Sequence, residues 1–133
     1  MKKKILIFNI MSLVVSSLSF AASDFSKIRC RAQDGILGVS GPWTRFEMEN
    51  KADITESRNH GDYVYRVTNK YGDYLYSDAN GNERHESLVE ITITDQTTQA
   101  EVSTTAYLSQ NISPTIKLKQ SNGKYAQISC GNK

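Results

Sequence analysis

The chain holds two cysteines, Cys30 and Cys130, a hundred positions apart. Two lone cysteines in an exported domain of this size are expected to pair, and a bridge between them ties the two ends of the folded chain together. A redox-active pair would need a close Cys-x-x-Cys arrangement or an activating neighbour, and the sequence offers neither. We therefore expect a structural Cys30–Cys130 disulfide. On the chain-entropy account, closing a loop of about a hundred residues contributes on the order of 4 to 5 kcal/mol.

Export is read from the first residues, MKKKILIFNIMSLVVSSLSFAAS. Three lysines precede an apolar run from Ile5 to about Val15, and small residues follow at Ser19 and Ala21. This is the pattern of a secretory signal peptide, and the apolar run falls short of the roughly 20 residues a bilayer-spanning helix needs. We assign residues 1–21 to the leader and residues 22–133 to a single secreted β-domain, in the periplasm or outside the cell, with no membrane insertion after cleavage. Three of the sixteen basic residues belong to the leader, which leaves thirteen against fourteen acidic residues, a net charge near minus one. Mixed charge of that kind argues against nucleic acid as a partner.

Short runs with a two-residue period dominate the rest, so the fold class is all-β. Ile28, Cys30 and Ala32 share one face of a first strand and Lys27, Arg29 and Arg31 the other. Phe46 and Met48 alternate with Glu47 and Glu49, and Val89, Ile91 and Ile93 with Glu90, Thr92 and Thr94. Later strands set Val102, Thr104, Ala106 and Leu108, then Ile116 and Leu118, then Ala126, Ile128 and Cys130 on their inner faces. Turn chemistry at Lys70-Tyr71-Gly72-Asp73, Asp95-Gln96-Thr97-Thr98 and Asn122-Gly123 joins seven or eight strands as a largely meandering antiparallel barrel or sandwich, with a tight two-residue hairpin at the last of these. The disulfide closes the first strand on the last, and we expect a monomer.

Five of the seven tyrosines fall in YVYRVTNKYGDYLYSD. An even-length turn at Tyr71-Gly72 pairs Val67 with Tyr76 and sends Tyr63, Tyr65, Tyr74 and Tyr76 to one face. That face is either core or an amphipathic platform for a protein or for the rings of a carbohydrate. In DGILGVSGPWTR, glycines recur every third residue before Trp43. A phosphate loop must open onto a helix, and a strand follows here, so a loop that carries Trp43 as a plug over one end of the domain is the expectation, with an exposed contact as the alternative.

SDANGNERHE spaces Asp78, Asn80 and Asn82 like a calcium loop, but its glycine is fourth rather than sixth and its twelfth residue is Val89. It reads as a polar turn. His60 and His85 lack zinc-site spacing, and no serine stands in a nucleophile-elbow pattern. We expect neither metal nor cofactor and no enzymatic activity. The function expected is a small exported binding protein acting through the tyrosine hairpin or the glycine-rich loop, with an unrecognised hydrolase or a passive envelope component as alternatives.

The opening IRCRAQDGILGV resembles the start of the periplasmic inhibitors of c-type lysozyme, small exported β-barrels with a cysteine near each end. The resemblance covers about a dozen residues and implies a stapled barrel that acts by contact, with inhibition of an envelope hydrolase as an alternative function by analogy of form. That family's inhibitory Ser-Gly-x-x-Tyr motif is interrupted here as Ser121-Asn122-Gly123-Lys124-Tyr125, so the inhibitory role is not carried over.

Overall fold

The computed structural model describes residues 25–109 and 112–132; the leader assigned to residues 1–21 lies outside them. Ten strands follow in order: β1 (Lys27–Ile36), β2 (Val39–Ser40), β3 (Thr44–Glu49), β4 (Ile54–His60), β5 (Tyr63–Asn69), β6 (Tyr74–Ser77), β7 (Glu83–Asp95), β8 (Glu101–Ser109), β9 (Thr115–Lys119) and β10 (Lys124–Gly131). They form two antiparallel five-stranded sheets. One holds β1, β2, β3, β9 and β10, and the other β4 to β8. No ladder joins β3 to β4 or β8 to β9 among the described residues, so the architecture is a sandwich.

The ten strands occupy eight rows, because two rows are interrupted. β2 pairs with β1 at Gly35 and Ile36, and β3 resumes the same edge where Thr44 meets Ala32. Gly41, Pro42 and Trp43 thus oppose only Gln33 and Asp34, a one-residue bulge. β5 and β6 likewise lie along one edge of β7, with Asn69 opposite Val89 and Tyr74 opposite Glu86. The segment Lys70–Asp73 is therefore a bulge of four residues against two. The expected hairpin turn at Tyr71-Gly72 is not there: the chain continues past it and reverses at Asp78–Asn82 instead. Read by rows, the chain is a meander that returns to its start, with β10 lying beside β1.

The expected inner faces meet between the sheets. Ile28, Cys30, Ala32, Phe46 and Met48 pack with Val89, Ile91, Ile93, Leu108, Ala126 and Ile128. Cys30 stands directly opposite Cys130 in the β1–β10 ladder, and the two are bonded. The Asn122-Gly123 hairpin forms with one residue more than expected. Gly123, at φ 84°, donates its N–H to the Gln120 carbonyl and closes a three-residue loop.

Each end of the sandwich carries a buried polar cluster. At one end the Asn50 side chain, just past β3, accepts from Asn69 Nδ2 at 2.7 Å and Ser87 Oγ at 2.9 Å, and donates to the Phe25 carbonyl. At the other end Asp95, fully buried, takes Gln120 Nε2 at 2.9 Å and the Thr97 N–H at 2.8 Å, with Lys124 Nζ 3.7 Å away. Gln120 also accepts from the Tyr63 hydroxyl at 3.1 Å, so the cluster ties one sheet to the other. Burial alone would raise the Asp95 pKa. The Gln120 amide, the Thr97 and Thr98 backbone N–H groups and the Lys124 charge outweigh it and hold the carboxyl down at about 2, against an ordinary 3.8.

Two outcomes follow from this frame. Replacing Cys30 or Cys130 by Ser should lower unfolding free energy by roughly 2 to 5 kcal/mol in denaturant melts, and the oxidised protein should show no thiol when unfolded without reductant. A carboxyl with a depressed folded pKa stabilises the fold above its ordinary pKa, and that contribution drains away as pH falls from about 4 through about 2. Melts across that window should show the loss in the native protein, and Asp95→Asn should flatten it while lowering stability at neutral pH.

Candidate binding surfaces

The continuous β5–β6 row decides where the tyrosines go. Successive residues of a strand alternate between its faces, and a bulge with two extra residues restores the alternation it interrupts. Odd-numbered Tyr63 and Tyr65 therefore face inward and even-numbered Tyr74 and Tyr76 outward. Tyr63 and Tyr65 are buried in the core. The single face of four tyrosines expected from a hairpin at Tyr71-Gly72 is replaced by two tyrosines on each side of the sheet.

Tyr65 is wholly enclosed, and its hydroxyl meets no hydrogen-bond partner among the described residues. Burial first, and then the nearby Asp34 carboxylate and Tyr63, push its phenol pKa far above the ordinary value. The Tyr63 phenol is also raised, by burial above all, with Lys124 opposing.

The outer pair finds new company. Tyr74 and Tyr76 stack with ring centroids 6.0 Å apart, and Tyr74 is 60% exposed. Tyr71 projects from the bulge and Tyr107 from β8, 67% and 56% exposed. Tyr107 stands opposite Leu88, one step along the outer face of β7 from Glu86, the partner of Tyr74. Tyr71, Tyr74, Glu86, Leu88 and Tyr107 surround a shallow depression of about 180 Å³. Gly72 holds the bulge in this shape. Its φ is 75°, its N–H reaches Asn69 Oδ1 at 2.8 Å, and a Cβ there would lie 2.9 Å from the Ala52 backbone nitrogen. Tyr107 was legible as an aromatic alternating with Glu101, Ser103 and Thr105 on the solvent face of its strand. Tyr71 was hidden in what read as a turn.

Glu86 is the charged side chain in the lining of this depression. His85 Nδ1 sits 3.0 Å from both Asp73 carboxylate oxygens and its ring stacks on Phe25 at 3.8 Å. Asp78 accepts from the Asn80 and Asn82 N–H groups and from Arg84 Nε at 2.9 Å, which makes its segment the polar turn expected. Those hydrogen bonds lower its pKa. His60 Nε2 lies 3.6 Å from Asp34. No group of three or more His, Cys, Asp or Glu side chains able to hold a metal ion occurs among the described residues.

The glycine-rich segment is ordered strand and turn rather than a plugging loop. Leu37 at φ 50° and Gly38 at φ 80° form the two-residue turn of the β1–β2 hairpin, and the Leu37 N–H donates to the Gly123 carbonyl at 3.0 Å. Leu37 and Val39 are exposed at this tip. Trp43 does not cap an end of the domain. The one-residue bulge turns it to the outer face of its sheet, 39% exposed, with the Arg31 guanidinium 4.8 Å above its ring. A cation over an indole face at that range is attracted by about 0.5 to 1 kcal/mol at an exposed site.

No known protein family, curated protein or solved structure matches the chain.

The two tyrosine environments should separate cleanly in denaturant melts. Tyr65→Ala removes a buried ring and should cost about 3 to 5 kcal/mol. Tyr65→Phe removes only a buried hydroxyl that has no partner among the described residues, so stability should hold or rise by up to about 1 kcal/mol. Tyr76→Ala, on the outer face, should change it by no more than about 0.5 kcal/mol.

Proposed function

We propose that this chain is an exported, non-enzymatic binding protein of the periplasm or cell exterior that works by contact with a protein partner through the outer tyrosine face. Its one carrying observation is the exposed set Tyr71, Tyr74, Tyr76 and Tyr107 on one side of the β7 sheet. Tyrosine is a residue interfaces favour at their centres, with charged groups left to the rim, and here Arg84, opposite Tyr76, and Glu86, opposite Tyr74, are the charged neighbours on the outer face of β7. A depression of about 180 Å³ is small beside the roughly 300 to 1,000 Å³ of small-molecule pockets, which favours a surface that another protein covers. Export rests on the leader sequence and accords with a disulfide, a bond that persists in oxidising compartments.

Immobilised oxidised protein should retain a partner from envelope or culture-medium extract. The Tyr74→Ser/Tyr76→Ser double variant and Tyr107→Ser should each lose it, with affinity falling at least about tenfold, while their melts stay within about 0.5 kcal/mol of the native protein. Capture undiminished by all three substitutions removes the tyrosine face as the contact. Retention of glycans by the same face, on a glycan array, would replace a protein partner with a carbohydrate.

A further inference from the structure

The opposite sheet carries a second and chemically different surface. On the outer side of β1, β3 and β10 lies a groove of about 630 Å³, walled by Arg29, Arg31, Arg45 and Glu47 with Ser113 and Ser129, and floored by the backbone at Cys30 and Cys130. The volume falls in the range of ligand sites. Strand register dictates the charge pattern. Arg29 stands opposite Glu47 and its Nε meets that carboxylate at 3.0 Å. One step on, Arg31 stands opposite Arg45, and on its other side opposite Ser129.

Like charges directly opposite on antiparallel strands repel, and nothing in this groove relieves the Arg31–Arg45 pair. Neither guanidinium has a carboxylate within ion-pair distance among the described residues. Three guanidinium groups and one carboxylate leave the lining at a net charge of plus two. The composition does not force this, since the 112 residues after the leader are close to neutral. Arg31 is also held in place. Its guanidinium carbon lies 4.8 Å over the Trp43 ring, a cation–π contact that leaves N–H donors for an oxyanion.

We propose that this groove binds a phosphoryl dianion, the head of a phosphate monoester, between Arg31 and Arg45 with the Ser129 hydroxyl beside them. Two guanidinium groups from directly paired positions of β1 and β3, both lining the groove, match one doubly charged, multidentate oxyanion, whereas a carboxylate would neutralise only one of them. Soluble phosphomonoesters and phosphorylated lipid headgroups share this chemistry.

Calorimetric titration of the oxidised protein with glycerol 3-phosphate, at constant ionic strength in chloride, tests the assignment. Trp43, the only tryptophan, supplies a second signal because it touches Arg31. Saturable binding is expected, with acetate much weaker. Arg45→Gln should reduce the affinity about ten- to a hundredfold, as loss of a charge-assisted contact does, and Lys119→Gln, outside the groove, should not. Arg45→Gln should also leave the melting temperature of the free protein unchanged or higher, because it removes a repulsion. A purely structural arginine would lower it. Vesicles of phosphatidylcholine doped with phosphatidic acid form the second arm, read by co-sedimentation. Binding to either probe that Arg45→Gln weakens supports the site, and the arm that responds identifies the source of the phosphoryl group. Equal affinity for acetate, equal loss in Lys119→Gln, or no binding in either arm overturns it.

Discussion

Everything in this fold hangs on the ladder between β1 and β10, where the two ends of the chain lie side by side and Cys30 is bonded to Cys130. Each remaining strand row pairs with or packs beside its neighbour in sequence, so those contacts are local. The β1–β10 pairing alone brings together segments a hundred residues apart, and it sets both cysteines into one layer of the core. It also fixes the outer face. With β10 on one side of β1 and β3 on the other, Arg31 is placed between Arg45 and Ser129. Without that ladder the cationic groove loses its Ser129 side and the part of its floor at Cys130.

The polar clusters at the two ends do what the missing ladders at the sandwich corners do not. At the β3–β4 corner, Asn50 links Phe25, Asn69 and Ser87, and so binds the start of β1 to β5 and β7. At the far end Asp95 and Gln120 bridge β7 to the β9–β10 hairpin, and Lys124 contributes through Asp62 at 3.2 Å, a contact that raises its own pKa. A buried carboxylate is costly unless its lone pairs are met, and here they are met by groups drawn from both sheets. The charge of Asp95 is thus a condition of how the sheets close.

Core positions were legible in the sequence because a strand with one buried face announces itself by alternation. Ile28, Cys30, Ala32, Phe46, Met48, Ile91 and Ile128 all sit where the two-residue period put them. The surfaces were harder, and for a specific reason. Lys70-Tyr71-Gly72-Asp73 and Asp78-Ala79-Asn80-Gly81-Asn82 both have turn chemistry, and sequence gives no way to choose which reverses the chain. Packing chooses: Gly72 is tucked against Ala52 and held by Asn69, while Asp78 gathers two N–H groups and Arg84. Trp43 was misplaced by a similar margin. A single extra residue opposite Gln33 and Asp34 sends it outward to Arg31, and no propensity encodes that residue's presence.

The four-against-two bulge also restricts how the length of this chain can drift. Deleting one residue between Lys70 and Asp73 would invert the phase of everything up to Ser77, drive Tyr74 and Tyr76 toward the core and turn Leu75 outward. Deleting two would keep every side chain on its present face and remove only the detour. Insertions obey the same arithmetic. Among descendants of this sequence, the segment should change length in steps of two wherever the tyrosine face is kept, and an odd step would mark a lineage that has abandoned it.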